Sequence, residues 1–445
     1  MSKTFRPWEV DQGWLLPASV HDFVPAEHLA HFVRETVRND LDLGGILASY
    51  AEERGAPPYH PAMMVALLLY GYSRGVYSSR QLARGCEERV DFMAVTGLQR
   101  PDFRTIAEFR CRHLKALEAL FVQVLQLCRA AGLAKLGHVA LDGTKVKANA
   151  SKHKAMSYGR MLGTERRLTA EVAQWFARAE AIDGEEDRTH GTDRRGDELP
   201  AWVADKQARL AKIQAAKATL EAEAKEAPRD DDEGPGPSTG MMDHGRPRRA
   251  ADGGPPPKAQ RNFTDPDSRI QVTRDGVIQG YNAQIAVDAA HQIIVAQRVV
   301  TNSADWSALM PLLRQTRSNC RATPRELSAD AGFCTEANLA ALARFISCRA
   351  YLAPGRARHG QRAGASARMI RPGSRVAAMA RRLKLAGWRS RYRMRKKTVE
   401  PVFGQVKEAR GFRQFLLRGL EKIRAEWSLI CTVHNLLKLA NARTG

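Results

Sequence analysis

Long apolar runs are absent from this sequence. No run in the 445-residue chain approaches the roughly 20 apolar residues needed to cross a bilayer. The N-terminal residues, Met-Ser-Lys-Thr-Phe-Arg-Pro-Trp, also lack the apolar segment of a secretory signal peptide. We therefore expect a soluble cytoplasmic protein with no membrane-spanning segment.

Paired cysteines are absent as well. The seven cysteines are spread singly along the chain, and no two of them form a C-x-x-C pair. This pattern argues against a disulfide framework and against a zinc knuckle, and it favours buried, reduced thiols.

Acidic residues are scarce relative to basic ones. The chain has 70 Lys and Arg against 48 Asp and Glu, which gives a formal net charge of +22. Such an excess favours a polyanionic partner. Nucleic acid is the commonest one, because each cation near a phosphate releases condensed counterions, and an anionic membrane is the rival. The length predicts two or three structural units.

The segment from Tyr59 to Ala131 is densely helical in pattern. Pro61 begins one predicted helix, Ser78 caps a second, and Pro101 precedes a third that continues with a basic face beyond Arg110. A DNA-binding helix-turn-helix fits this pattern. A plain helical bundle with solvated arginines fits equally well.

Residues 155–260 have the composition of an insertion. Two stretches, Thr164–Ile182 and Ala201–Lys225, are rich in Ala, Glu, Lys, Arg and Leu, and the second has apolar residues at roughly helical spacing. Together they predict a helical hairpin. Residues 227–260 are rich in Gly, Pro and acids, and we predict a flexible linker there. The acidic run within it is better explained by solvation than by a metal site, because a flexible chain does not preorganise ligands.

Three carboxylates stand in unusual settings. Asp142 follows the short apolar run Val139–Leu141, and Asp330 follows the similar run Leu327–Ala329. Both runs predict buried strands that end on an acid, and on this segment alone Asp142 is equally well explained as a polar strand terminus or as a catalytic carboxylate. Glu400 is the single acid among fifteen Lys and Arg in residues 351–400.

The elements between these acids have a definite order. A strand ending on Asp142 is followed by the insertion, a hairpin, a helix, the strand ending on Asp330, a helix, a strand, the basic stretch and a helix with Glu400. This is the order in which a ribonuclease H-like domain presents a metal-binding triad. The spacings are 188 residues from Asp142 to Asp330 and 70 from Asp330 to Glu400.

The sequence resembles the DDE-type transposases of bacterial insertion sequences, in the branch with a helical N-terminal transposase domain. The matching stretches are Tyr59–Met64, Ser78–Leu82, Pro101–Arg110, Leu141–Thr144, Asn262–Arg269, Gly280–Gln284, Ala329–Phe333 and Thr398–Lys407. They cover most of the chain outside residues 155–260.

The resemblance implies an active site. Asp142, Asp330 and Glu400 are its implied catalytic residues and ligands of two Mg²⁺ ions, for which Mn²⁺ can substitute. Such families often carry Tyr, Arg, Glu and Lys with two, three and six residues between them. Here Tyr392 and Arg395, and Glu400 and Lys407, keep the first and last spacings, but four residues separate Arg395 from Glu400. Tyr392, Arg395 and Lys407 are the implied DNA-binding residues.

The resemblance also implies an architecture and a reaction. We expect an α/β protein with an all-α DNA-binding domain over residues 1–135. A ribonuclease H-like catalytic domain with a mixed sheet would occupy residues 136–154 and 261–445, interrupted by the insertion. The implied activity is metal-dependent cleavage of double-stranded DNA at the element's ends, followed by strand transfer into target DNA.

Synapsis of two ends implies a homodimer, and a bacterial transposase is expected at the nucleoid. Two other functions remain open at this stage. One is a catalytically inactive repressor that binds the element's ends, and the other is a structure-directed nuclease.

Overall fold

The structure of the protein is a computed structural model that describes residues 19–50, 58–190, 201–226, 253–273, 276–345, 348–355 and 372–444. The chain forms two compact units. The first comprises Met1–Ala134, Glu408–Gly411 and Ser428–Gly445, and the second comprises Lys135–Lys407 and Phe412–Trp427.

The first unit is helical. Its helices are α1 (Leu29–Asn39), α2 (Gly44–Leu47), α3 (Pro61–Ser73), α4 (Ser79–Glu88), α5 (Val90–Thr96), α6 (Phe103–Arg112) and α7 (Leu114–Ala130). Helix α3 is the centre of this unit: Leu67, Leu68 and Leu69 are all buried, and α1 and α5 pack against it. A helix that is apolar on every side has to be surrounded by other elements.

The region predicted as a helix-turn-helix or a bundle, Tyr59–Ala131, contains α3 to α7. Helix α6 begins after Asp102, whose carboxylate accepts a hydrogen bond of 2.7 Å from the backbone N–H of Arg104. The predicted basic face is smaller than the sequence indicates. Arg110 and His113 are buried, whereas Arg104 and Arg112 are exposed.

The second unit is built on a mixed sheet. Its strands are β1 (His138–Lys147), β4 (Arg269–Thr273), β5 (Gly276–Asp288), β6 (Ile294–Val300), β7 (Glu326–Ala329) and β8 (Arg349–Leu352). The order is β4-β5-β1-β7-β8, and β6 pairs with β5. Strand β1 is antiparallel to β5 and parallel to β7, and β8 is parallel to β7. The predicted α/β class, with a helical N-terminal region and a mixed sheet, is confirmed.

Strand β1 is longer than predicted. The strand was predicted to end on Asp142, but β1 continues to Lys147. The extension exists because β1 has two partners of different length. Its pairing with β7 reaches Leu141↔Ala329, whereas its pairing with β5 continues to Lys147↔Gly280. Asp142 therefore lies inside β1, at the position where only one neighbouring strand remains.

Two helices lie in the part of the chain for which a helical hairpin was predicted. They are α8 (Tyr158–His190) and α9 (Ala201–Glu226), which share a core that includes Met161 and Ile213. Lys217 forms an ion pair of 2.8 Å with Glu165 across the hairpin. Of the predicted flexible linker 227–260, residues 227–252 lie outside the described part of the chain.

The two ends of the insertion form a separate two-stranded sheet. Strand β2 (Ala155–Ser157) precedes the helical hairpin and pairs with β3 (Gln260–Asn262), which follows it. The pairing brings the two ends of the insertion together. A segment whose ends lie side by side can be inserted into a domain without separating the strands of the main sheet.

The remaining helices are α10 (Leu309–Cys320), α11 (Glu336–Ala343), α12 (Arg375–Arg382), α13 (Ala386–Gly404) and α14 (Leu420–Thr444). Helix α13, which carries Glu400, begins at Ala386, and a π-helical turn, Gln405–Ala409, follows it. Trp427 of α14 is buried and donates a hydrogen bond from its indole nitrogen to the carbonyl of Gln284.

Two predictions about composition can be compared with the described residues. All seven cysteines are free thiols, and Cys111 and Cys334 are the two that are not buried. None of the helices in the described part of the chain is both long enough and apolar enough to cross a membrane.

Candidate active site

Two of the three predicted carboxylates meet on neighbouring strands. Leu141 of β1 is the parallel partner of Ala329 of β7, and Asp142 and Asp330 are the residues that follow them. Parallel strands lie about 4.8 Å apart, so residues at matching positions on them are neighbours. The fold therefore brings together two acids that are 188 residues apart in the sequence.

Asp142 is a largely buried carboxylate. Its side chain is 17% exposed, and it accepts a hydrogen bond of 2.8 Å from the backbone N–H of Gly143. Burial raises the pKa of Asp142 to about 7, and the negative charges of Asp330 and Asp305 act in the same direction, against the positive charge of Arg395. This part of the site accumulates negative charge and would gain from a bound cation.

Arg395 supplies a positive charge to this carboxylate. Its guanidinium group forms an ion pair with Asp142, and the Arg395 side chain is only 12% exposed. Arg395 also shares a hydrogen bond with Tyr392, and burial raises the pKa of the Tyr392 hydroxyl. Both residues were predicted to bind DNA, and the structure positions Arg395 against Asp142.

Asp330 lies at the start of a short turn. Its carboxylate accepts a hydrogen bond of 2.9 Å from the backbone N–H of Gly332. A side-chain carbon added at Gly332 would lie 3.1 Å from an oxygen of Asp330 and 3.1 Å from an oxygen of Asp305. Glycine at this position therefore permits two carboxylates to approach the same point.

Asp305 is a site residue that the sequence analysis missed. Its Oδ1 atom accepts hydrogen bonds from the side-chain amides of Asn282 at 2.8 Å and Gln284 at 2.6 Å. The ammonium group of Lys145 lies 3.5 Å from the same oxygen. Asn282 and Gln284 are buried polar residues that alternate with apolar residues in β5, and buried amides need partners, so they are the signal that could have indicated a buried acid near them.

Gly143 makes room for this network. A side-chain carbon at Gly143 would lie 2.2 Å from the amide nitrogen of Gln284, far inside van der Waals contact. The two residues are cross-strand partners in β1 and β5, so they share one face of the sheet. The glycine that follows Asp142 is thus needed for the close approach of a neighbouring side chain.

Lys407 and Glu400 have different surroundings. Lys407 lies in the π-helical turn and donates a hydrogen bond of 2.8 Å to the carbonyl of Lys145. Glu400 is exposed on α13, and its carboxylate forms no hydrogen bond or ion pair with any residue that the structure describes. The structure therefore brings Lys407 to the strand of Asp142, and it leaves Glu400 exposed on the helix that carries Arg395.

Two models of known protein families match parts of the chain. The family model described as Transposase domain (DUF772) matches residues 18–112, and the one described as Transposase DDE domain matches residues 356–440. Both models describe transposase domains, and the two matches are consistent with a DDE-type insertion-sequence transposase. The predicted resemblance to insertion-sequence transposases is confirmed. No curated protein and no solved structure matches the chain.

Only the second match covers part of the site. Glu400 and Lys407 lie within the second matched range, and Asp142, Asp330 and Asp305 lie outside both ranges. DDE transposases act on DNA and generally use divalent metal ions. The assignment of the individual ligands consequently depends on the geometry described above.

The donor chemistry of the site fits a divalent ion. Carboxylate oxygens are the ligands that Mg²⁺ prefers, and Asp142 and Asp330 supply them on adjacent strands. In the conformation described, the positive charges near these acids are those of Arg395 and Lys145. No group of three or more His, Cys, Asp or Glu side chains among the described residues is arranged to hold a metal ion.

Proposed function

We propose that this transposase cleaves DNA at the ends of an insertion sequence and joins the freed 3′-hydroxyl to target DNA. The observation that carries the proposal is the parallel pairing of Leu141 with Ala329, which makes Asp142 and Asp330 neighbours. We also propose that the mixed sheet and its helices form a ribonuclease H-like domain. The pairing of β1 with β7 ends directly before Asp142 and Asp330, and two acids placed side by side in this way fit that proposal.

The ligands of the metal ions in this proposal are Asp142, Asp330 and Glu400. Bound Mg²⁺ or Mn²⁺, as a pair of ions, would lower the pKa of the attacking oxygen and stabilise the leaving one. Arg395 supports the inclusion of Glu400, because it ties α13, the helix that carries Glu400, to Asp142. The protein's own cations, Arg395 and Lys145, offset the charge of the acids before an ion binds.

Contacts with DNA follow from charge. The net charge of +22 and the exposed cations of α13, including Arg389, Arg393 and Lys396, favour binding to the phosphate backbone. We assign DNA contacts to Lys407, Arg395 and Tyr392, with Lys407 at a phosphate. We assign recognition of the element's ends to the helical N-terminal region. Two ends must be held together, so we propose a homodimer in the active complex, at the bacterial nucleoid.

The test is cleavage of a labelled duplex that carries the element's own terminus, in the presence of Mg²⁺. Wild type is compared with Glu400→Ala and Asp142→Asn, and Glu421→Ala is the control because Glu421 is an exposed acid at the start of α14. We expect cleavage by wild type and by Glu421→Ala only, with DNA binding retained by every variant.

Other results would overturn the proposal in distinct ways. Tight binding to the terminus without cleavage by any protein would indicate a repressor. Cleavage of duplexes regardless of their terminal sequence would indicate a general nuclease. Full cleavage by Glu400→Ala would remove Glu400 from the ligand set.

A further inference from the structure

Lys145 is a basic residue inside the acidic part of the candidate active site. Its side chain is 19% exposed, and its ammonium group donates a hydrogen bond of 2.7 Å to the carbonyl of Ser303 and lies 3.5 Å from Asp305. The charges of Asp330 and Asp142 also act on it. No motif in the sequence assigns a role to this lysine.

The position of Lys145 is fixed from two directions. Its backbone lies in β1, opposite Asn282 of β5, and its carbonyl accepts a hydrogen bond of 2.8 Å from Lys407. Its side chain is held by Ser303 and Asp305. A lysine normally loses considerable side-chain freedom when it binds a ligand, and here the surrounding groups have already restricted that freedom.

Asp305 is oriented in turn by two amides. Asn282 and Gln284 both donate to its Oδ1 atom, and neither carries a charge that would compete with Lys145. The other oxygen of Asp305 approaches Gly332, next to the carboxylate of Asp330. Asp305 thus connects the ammonium group of Lys145 with the turn that carries Asp330.

We propose that Lys145 contacts a phosphate of the DNA strand that is cut, and that Asp305 is the positioning residue that holds it there. This inference rests on the proposed function. An ammonium group has three donors, and the contacts with Ser303 and Asp305 account for two of them. Negative charge develops on the phosphate oxygens during transfer, and a preorganised cation in a partly buried site stabilises it more than water does.

The first experiment measures cleavage kinetics on a duplex with the element's terminus. Lys145→Met removes the charge at similar size, and Lys145→Arg keeps it. We expect Lys145→Met to lower kcat by about 100-fold, as loss of one charge-stabilising donor does, with little change in KM. Lys145→Arg should recover part of the loss. The control is Lys147→Met, because Lys147 lies on the same strand and is exposed.

A double-variant comparison tests the role of Asp305. Asp305→Asn should lower kcat by about 10-fold in the wild-type background and have no further effect in the Lys145→Met background, because residues that act through one another are not additive. Asp267→Asn is the matched control. Asp267 accepts a hydrogen bond of 2.8 Å from the backbone of Leu420 at the start of α14, so its loss would lower the melting temperature without selectively lowering kcat.

A readout that needs no turnover separates this inference from the proposed function. Competitive acetylation of the lysines, read by mass spectrometry, reports the accessibility of each amine. Bound terminus DNA should protect Lys145 in wild type, and Asp305→Asn should increase the labelling of Lys145 in the free protein.

Each failure has a distinct signature. Absence of cleavage by wild type would contradict the proposed function, and the labelling would still decide the inference. Wild-type kcat in Lys145→Met, or no protection of Lys145 by DNA, would overturn the phosphate contact. Two results would overturn the role of Asp305. One is a double variant whose loss of kcat equals the product of the two single losses, and the other is unchanged labelling of Lys145 in Asp305→Asn.

Discussion

Arg395 donates a hydrogen bond from its guanidinium group to the carboxylate of Asp142, 253 residues earlier in the chain. Both side chains are largely buried, so each charge depends on the other for compensation. The contact ties α13 to β1, and it joins two residues to which the resemblance gives different roles, one in metal binding and one in DNA binding.

The first prediction concerns this ion pair. Arg395→Met should lower the free energy of unfolding by about 3 kcal/mol at pH 8, because the variant retains a buried carboxylate without its partner. The loss should be smaller at pH 5, where Asp142 can take up a proton. Urea denaturation at both pH values measures it. The control is Arg393→Met, since Arg393 is exposed on the same helix; equal losses in the two variants would contradict the role of the pair.

The second prediction concerns the pH dependence caused by Asp142. Its pKa is about 7 in the folded chain, against an ordinary value of about 3.9 when unfolded. Between these values the unfolded state binds fewer protons, so this carboxylate makes the free energy of unfolding fall as the pH rises.

Asp142→Asn lacks this titration. The free energy of unfolding of wild type, minus that of the variant, should therefore decrease between pH 4 and pH 8. The decrease is up to about 4 kcal/mol for a pKa that rises from about 3.9 to about 7 on folding. Urea denaturation of both proteins without divalent ions, at closely spaced pH values, measures this difference. Other titrating groups are the same in both proteins, so their effects cancel. A difference that stays constant with pH would show that Asp142 titrates normally.

The sequence predicts the local features of the site well. Short apolar runs indicated the strands before Asp142 and Asp330, and the structure has strands β1 and β7 there. The spacing of apolar residues indicated the helical hairpin of the insertion. These features depend on neighbouring residues, so a pattern within one window is sufficient to find them.

The contacts between distant residues could not be predicted in this way. The alignment of Leu141 with Ala329 is set by the packing of the whole sheet, and spacing along the chain carries no information on it. Asp305 was missed for the same reason, because Lys145 of β1 and Asn282 and Gln284 of β5 are distant from it in the sequence. The sequence indicated that Arg395 was important, but the ion pair with Asp142 has no local pattern.

The third prediction concerns Gly143. Gly143→Ala should lower the free energy of unfolding by about 1–3 kcal/mol, because the added methyl group overlaps the Gln284 amide and displaces it from Asp305. Thermal or urea unfolding measures the loss. Shortening the neighbour should remove the clash, so Gly143→Ala should cost little in a Gln284→Ala background.

Gly163→Ala is the control for Gly143→Ala. Gly163 is exposed in α8, and a side-chain carbon there would meet no other group within 4 Å. Alanine at that position should stabilise the helix by about 0.5–1 kcal/mol. A loss at Gly143 that persists without the Gln284 side chain would show that the backbone, and not the amide, excludes alanine.

The last prediction concerns Arg110 in the first unit. Its guanidinium group is buried and donates hydrogen bonds to the Tyr72 hydroxyl at 3.1 Å, the Tyr77 carbonyl at 3.0 Å and the Ser79 hydroxyl at 3.2 Å. Arg110→Met should lower the free energy of unfolding by about 3 kcal/mol, because these acceptors lose their donors.

Arg110→Lys should restore little of that stability, since an ammonium group cannot reproduce the planar fork that reaches several acceptors at once. Arg38→Met, at an exposed position of α1, should change the stability by less than about 0.5 kcal/mol. If Arg110 instead contacts DNA, as the predicted basic face of its helix suggests, Arg110→Met would weaken DNA binding at unchanged stability. Unfolding and gel-shift measurements, carried out in parallel on Arg110→Met and Arg38→Met, distinguish these outcomes.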